Sequence, residues 1–263
     1  MVVFFDIDGT VVDDATQIIP ESARWAVSEL GRQGHLAVVN TGRPFGHIDP
    51  RVRSMDFGGW ICGCGMEIML EGRWIHRDLP DLAMCCRIID LVRSHRMQVL
   101  YEAETEVWLD GAYSNGPQPT EEGRRMEAKG FRVRQLSDVA EPTFVKFVTF
   151  DAPGCQREAF VKAVEPWFVG IDRGRTMLEF VKRGCSKALG MELLLRHLGI
   201  PKAETLAIGD STNDLPMFAA AGRTICMGDG MDELKAQADY ITQPVLEDGL
   251  AKALHHFGLL PPP

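Results

Sequence analysis

Residues 2–10, VVFFDIDGT, run from four apolar side chains straight into two aspartates, a glycine and a threonine. A short continuous apolar run bounded by turn chemistry suits a strand buried on both faces, as in a parallel sheet. Residues two apart in extended chain point the same way, so Asp6 and Asp8 face one place on either side of Ile7. Gly9 then lets the chain turn away. A strand that ends in like charges needs a reason, and the chain repeats the pattern.

A strand expected at residues 36–39 runs into Asn40-Thr41-Gly42-Arg43, and one at 205–208 runs into Gly209-Asp210, with Asp214 four residues on. Helical spacing of apolar residues marks 21–34, 186–198, 213–221, 232–238 and 248–257. Short strands are expected at 60–62, 67–70, 224–227 and 240–242. Such alternation predicts an α/β domain around a parallel sheet, whose ligands bind outside the carboxyl ends of the strands. Three polar strand ends would then converge on one site.

From about residue 80 the texture changes. Helical patterns at 82–96 and 156–164 accompany strand-like segments at 98–102, 107–110, 144–150 and 176–181, with a polar, Gly/Pro-containing stretch at 114–123. Adjacent strand signals with few intervening helices predict an α+β insertion. The reading is a core domain of residues 1–80 and 183–263 and an inserted domain of residues 81–182.

Composition excludes several classes. A hydrophobic content of 45% supplies a sizeable core, and a net charge of −9 argues against a nucleic-acid partner, which needs Lys/Arg to meet phosphates. Seven cysteines, an odd number in mostly apolar stretches, read as reduced thiols, and Cys62-Gly63-Cys64 lacks the second pair of a metal site. There is no signal-peptide core and no 18-residue apolar run, so the expectation is a soluble, cytoplasmic protein with no membrane partner. The tail Pro261-Pro262-Pro263 reads as a frayed end.

Carboxylates gathered at strand ends repel one another by several kcal/mol unless a cation neutralises them. Hard oxygen donors without a His or thiolate cluster favour Mg²⁺. Beside Mg²⁺, a carboxylate can attack phosphorus while a second one protonates the leaving oxygen and later takes a proton from water. The Thr41 hydroxyl and the amides around Gly42 suit phosphoryl oxygens. Lys187, which opens the helix at the return to the core, is poorly placed near a helix N-terminus unless something anionic lies close. Asp13, Asp14 and Asp229 read as solvated or capping acids.

These elements resemble the haloacid dehalogenase superfamily, in its phosphatase majority. Asp6-Ile7-Asp8-Gly9-Thr10 is similar to its first motif, Asn40-Thr41-Gly42-Arg43 to its second, Lys187 to its third and residues 209–214 to its fourth. Ala238-Asp239-Tyr240-Ile241-Thr242 with Glu247-Asp248-Gly249 resembles the ending of the Cof-type branch, which carries a large cap between the second and third motifs. The resemblance implies a Rossmann-like core with helices on both faces of a parallel sheet, and a selectivity cap. It implies Asp6 as nucleophile and Asp8 as general acid/base, with Thr41, Gly42, Lys187 and Asn213 around the phosphoryl group. Mg²⁺ would be held by Asp6, Asp8 through its main-chain carbonyl, Asp210 and the supporting Asp214. The implied activity is hydrolysis of a small phosphorylated metabolite, foremost a sugar phosphate, by a monomer. Cys64-Gly65-Met66 departs from the usual Asn-Gly-Ala.

Two alternatives stand beside it. A phosphomutase would need a basic cluster in the cap for a second phosphate, for which Arg124, Arg125, Lys129, Arg132 and Arg134 are candidates. A phosphoacceptor switch also uses clustered acids, Mg²⁺, a Thr and a Lys, but it lacks both an acid/base two residues after the nucleophile and a cap.

Overall fold

A computed structural model describes residues 1–174 and 176–261. Pro262 and Pro263, part of the expected frayed tail, lie outside the described residues. The strands are β1 (Val2–Phe5), β2 (Leu36–Asn40), β3 (Gly59–Cys62), β4 (Glu67–Leu70), β5 (Arg73–Arg77), β6 (Gln98–Glu102), β7 (Glu106–Leu109), β8 (Arg132–Gln135), β9 (Lys146–Phe150), β10 (Phe168–Asp172), β11 (Met177–Lys182), β12 (Thr205–Gly209), β13 (Arg223–Cys226) and β14 (Tyr240–Ile241). The helices are α1 (Glu21–Arg32), α2 (Pro50–Arg53), α3 (Leu82–Ser94), α4 (Pro117–Ala128), α5 (Arg157–Val164), α6 (Lys187–Leu198), α7 (Leu215–Ala220), α8 (Asp232–Lys235) and α9 (Gly249–His256).

Contacts divide the chain into two compact units. The first takes residues 1–42, 48–77 and 186 onward; the second takes 43–47 and 78–185. The sequence reading placed residues 43–47 in the core domain, but they group with the insertion.

In the first unit the strands run β14-β13-β12-β1-β2-β3-β4-β5. Neighbours from β14 to β3 are parallel, and β4 and β5 add an antiparallel edge. All four β1 residues are fully buried, as strands covered on both faces must be. Val2 and Phe4 meet Met191 and Leu194 of α6 and Met217 of α7 in one cluster, while Phe5 on the other face meets the Phe57 ring edge-on at 5.6 Å. Helix α1 buries Ala23, Ala26, Val27 and Leu30, the i, i+3, i+4, i+7 stripe of an amphipathic helix. The Ser186 hydroxyl caps α6 by accepting from the Leu189 N–H at 3.0 Å, and Gly199 closes the helix in the left-handed conformation.

The second unit is a six-stranded sheet, β10-β11-β9-β6-β7-β8, antiparallel except for β7 with β8. One face carries an aromatic core in which Phe147 stacks on Phe180 at 4.7 Å and meets Phe144, Phe160 and Phe168 edge-on. Ile88 and Val92 of α3 and Phe160 and Val164 of α5 complete it. Leu100, Val107, Val148 and Phe150 alternate to the other face, where Met126 of α4 packs against them. Strands β5 and β10 were not legible in the sequence, and of α4 and β8 only the basic residues were, Arg124 and Arg125 read as helical and Arg132 and Arg134 as strand. The α4 stretch begins with Pro117, which fits the first turn of a helix but reads equally as a loop, and β10 is an edge strand with Val169 exposed, which blurs its alternation.

Among the described residues no helix is long and apolar enough to cross a membrane.

Phe147→Ala removes the ring at the centre of the second unit's core and is expected to cost about 3–5 kcal/mol, read as a lower urea midpoint. A shift below about 1 kcal/mol would show that this cluster does not hold the unit together.

Candidate active site

Strand register gathers the site. Phe5 on β1 is opposite Val39 on β2 and Ile208 on β12, and the Asp6 N–H donates to the Ile208 carbonyl at 3.0 Å. The next residues along the three strands are Asp6, Asn40 and Gly209, so Asp6, Thr41 and Asp210 leave the sheet from one edge. In a parallel sheet that edge is where the polar residues of successive strands meet.

Three carboxylates come together there. One oxygen from each of Asp6, Asp210 and Asp214 lies within 4.8 Å of the others. Lys187, 2% exposed, reaches into the group: its Nζ stands 2.8 Å from Asp6 Oδ1 and 2.5 Å from Asp214 Oδ1. The Asp214 Oδ2 accepts from the backbone N–H groups of Asp210 and Ser211 at 3.0 and 3.3 Å. Asp214 thus ties the lysine, the 210 turn and its own helical turn into one piece. Asn40 adds a clamp, its side-chain amide donating to the Lys187 carbonyl at 3.0 Å.

Two glycines are needed at this density. A Cβ on Gly9 would fall 2.4 Å from Asp210 Oδ2, and Gly9 has φ of +70°. A Cβ on Gly209 would fall 2.4 Å from Asp214 Oδ2. Neither site has room for a larger residue. Thr10 also belongs here, its hydroxyl donating to Asp210 Oδ1 at 3.5 Å. Asn40, Thr10 and Ser211 are the supporting residues that a motif search for charge overlooks. Their signal is a short polar side chain beside a strand end.

Of the other expected residues, Asp8 is half-buried beyond the end of β1 and forms a single bridge with Val12. Thr41 is buried, and its backbone joins β3, donating to the Ile61 carbonyl at 2.9 Å and accepting from the Cys64 N–H at 3.1 Å. Asn213 is half-buried, with its side-chain oxygen taken by the Ser211 hydroxyl at 2.8 Å. Cys64, at the departure from the usual motif, has φ of 56° and brings its sulfur against Gly42.

The profile of the haloacid dehalogenase-like hydrolases matches residues 3–254. The chain belongs to this family. It is 30% identical over 260 residues to YkrA of Bacillus subtilis, covering 98% of both chains. It is 26% identical over 267 residues to the 5-amino-6-(5-phospho-D-ribitylamino)uracil phosphatase YitU of the same organism, covering 96% of this chain and 95% of the other. Among solved structures, the haloacid dehalogenase superfamily phosphatase BT1666 of Bacteroides thetaiotaomicron is similar, with a TM-score of 0.83 at 25% identity over 98% of this chain and 95% of the other. This hydrolase is an enzyme of the phosphatase class, acting on phosphoric monoesters.

Charge in the site is unbalanced, with three carboxylates against one ammonium. Burial, then Asp214, raises the Asp6 carboxyl to about 7; burial, then Asp6 and Asp214, raises that of Asp210 to about 8. Burial pulls Lys187 down, but Asp214 and Asp6 outweigh it and hold the ammonium above the usual lysine range. An all-oxygen donor set carrying excess negative charge suits a hard divalent cation.

Both raised carboxyls prefer the protonated form when folded. The stability they contribute without metal is therefore full below the ordinary carboxylate range near 3.8 and is lost as pH rises through about 7 to 8. A bound divalent cation compensates the ionised forms. The Tm of the metal-free protein is expected to fall between about pH 5 and about pH 8, and the increment added by the cation to grow over that interval. A cation increment that is flat or shrinks with pH would contradict this account.

Proposed function

We propose that this hydrolase is a Mg²⁺-dependent phosphatase that releases phosphate from a small phosphorylated metabolite, most directly a sugar or sugar-alcohol phosphate, through an aspartyl-phosphate on Asp6. The observation that carries the reading is the buried array of Asp6, Lys187 and Asp214 beside Asp210, which is short of positive charge before any phosphate arrives.

In this reading an Asp6 oxygen attacks phosphorus, the ester oxygen leaves with a proton from Asp8, and the phosphoryl group stays on Asp6. Asp8, now a carboxylate, takes a proton from water, whose oxygen attacks the same phosphorus and restores Asp6 as inorganic phosphate leaves. Lys187 serves twice. It holds the Asp6 carboxylate in place and offsets charge on the phosphoryl oxygens, to which Thr41, the amide of Gly42 and Asn213 contribute hydrogen bonds. Asp6, the Asp8 carbonyl and Asp210 would hold Mg²⁺, whose charge would lower the repulsion between nucleophile and phosphate. Asp214 sits with the ligands, but Lys187 and two backbone amides already occupy its oxygens, so its part is to hold Lys187 and the 210 turn.

The substrate reading draws on YitU, whose own substrate carries a phosphorylated ribityl chain. In the inserted unit, Arg125 pairs with Glu121 and Glu122, and Arg132 and Arg134 with Glu106, so three of the five basic residues already have acidic partners. Hydrolysis is therefore favoured over a mutase, which must hold a second phosphate. Residues 78–185 are proposed as the selectivity cap, and the enzyme as a cytoplasmic monomer.

Asp6→Asn is expected to lower phosphate release from a panel of sugar, sugar-alcohol and nucleotide phosphates by at least about a thousand-fold. EDTA should abolish turnover in the parent enzyme, and added Mg²⁺ should restore it. Undiminished turnover in Asp6→Asn would overturn the mechanism.

A further inference from the structure

The second unit holds a cavity whose residues take no part in the phosphoryl transfer. It measures about 460 Å³, inside the range of roughly 300–1,000 Å³ for small-molecule sites. Its lining is residues 78–81, Met84, residues 166–168, Lys182 and Arg183, all of this unit. Residues 78–81 follow the departure of the chain from the first unit after Arg77, and Lys182 and Arg183 precede its return at Ser186. Both ends of the inserted segment therefore face one space.

Strand register and one ion pair build the walls. Phe168 on β10 is opposite Lys182 on β11, and the Arg183 N–H donates to the Trp167 carbonyl at 2.7 Å. Lys182 Nζ donates to the Asp78 carbonyl at 3.1 Å and to the Asp78 carboxylate, which ties together segments 104 residues apart. Phe168 is buried, and the half-buried Trp167 ring carries the Arg87 guanidinium 5.0 Å from its centre. With Met84 and the two prolines, these rings give the cavity its apolar surface.

The charged residues of the lining say what would fit. Asp78 and Lys182 satisfy each other, which leaves Asp81 and Arg183, one of each sign. Asp81 Oδ1 accepts from the Met84 N–H at 2.8 Å as the cap of α3, and its second oxygen makes no hydrogen bond among the described residues. Arg183 gives its Nε–H to the Glu165 carbonyl at 2.5 Å and lies 3.6 Å from the Glu165 carboxylate; its other guanidinium N–H groups make no hydrogen bond among the described residues. An anion would meet Asp81, and a cation would meet Arg183. A ligand with one charge of each sign answers both, a carboxylate on the guanidinium and an ammonium on the aspartate. The apolar surface then calls for a large hydrocarbon group between them.

We propose that this cavity binds an α-amino acid with a large apolar side chain, its ammonium on Asp81, its carboxylate on Arg183 and its side chain against Met84, Trp167 and Phe168. Such a ligand touches both ends of the inserted segment at once, so its binding stiffens residues 78–84 and 182–183 together. The assignment stands apart from the phosphatase reading.

The experiment titrates the parent protein calorimetrically with four compounds: L-phenylalanine; 3-phenylpropionate, which lacks the ammonium; phenethylamine, which lacks the carboxylate; and L-alanine, which lacks the ring. Saturable binding of L-phenylalanine in the millimolar range or tighter is expected, with each of the others at least about ten-fold weaker. Asp81→Asn keeps a capping side chain on α3 but removes the charge, and Arg183→Gln removes the other charge; each should weaken L-phenylalanine at least about ten-fold. Met84→Trp, which fills the cavity, should abolish its binding. L-Phenylalanine should also slow amide exchange in residues 78–84 and 182–183. Absence of saturable L-phenylalanine binding, equal binding of a compound lacking either charge, or slowed exchange confined to other segments would each overturn the assignment. These readouts use the parent protein, so they hold whether or not a variant folds.

Discussion

The first unit depends on one buried ammonium. Lys187 stands between Asp6 and Asp214, residues that are more than two hundred positions apart in the chain, and it is the positive charge that lets their carboxylates share a dry strand edge. Removing its charge would leave several buried carboxylates without a protein counter-ion, the case in which breaking a buried pair is most costly. The glycines at 9 and 209 follow from the same crowding, since the carboxylates occupy the space where a Cβ would stand. Asn40 and Ser186 then hold the first turn of α6, so that the lysine enters from a fixed direction.

Much of this was legible in the sequence because it rests on local rules. Four apolar residues before Asp6 announce a strand covered on both faces, and Asp6, Asp8, Asp210 and Asp214 follow strand ends at spacings that put them on shared faces. Parallel register then does the assembly, since β1 beside β2 and β12 leaves little freedom in where Asp6 and Asp210 go. Not legible were features fixed by packing between distant segments. Nothing in Gly9 announces that Asp210 lies against it, and nothing in Asn40 announces a hydrogen bond to the Lys187 carbonyl.

The inserted unit was harder to read. Its edge strands β8 and β10 are half-exposed, so alternation of apolar and polar residues is weak there, and α4 opens in a stretch rich in proline and glycine. Glu102, Lys146 and Glu179 look like solvent-facing residues of amphipathic strands. Only the pairing of β6, β9 and β11 puts them in one row, and pairing is a long-range fact that no window of sequence contains. The placement of residues 43–47 differs for the same reason: a turn after a motif strand reads as part of its strand's domain, and contacts between distant segments, the stacking of His47 on Phe131 among them, group it with the inserted unit.

The two units treat buried charge in opposite ways, and the difference bears on what each can bind. At the first, carboxylates outnumber the ammonium, so burial and mutual repulsion raise the Asp6 and Asp210 carboxyls and the cluster is short of positive charge. At the second, burial pushes Glu179 up, but Lys146 and Arg173 outweigh it and hold that carboxyl down at about 2. Burial raises Glu102, and Lys146 only partly offsets it. That array is close to neutral without help from an ion. A cluster short of positive charge suits a hard cation, whereas a balanced one carries no such deficit. Buried charge is thus left unbalanced in one unit and compensated within the other.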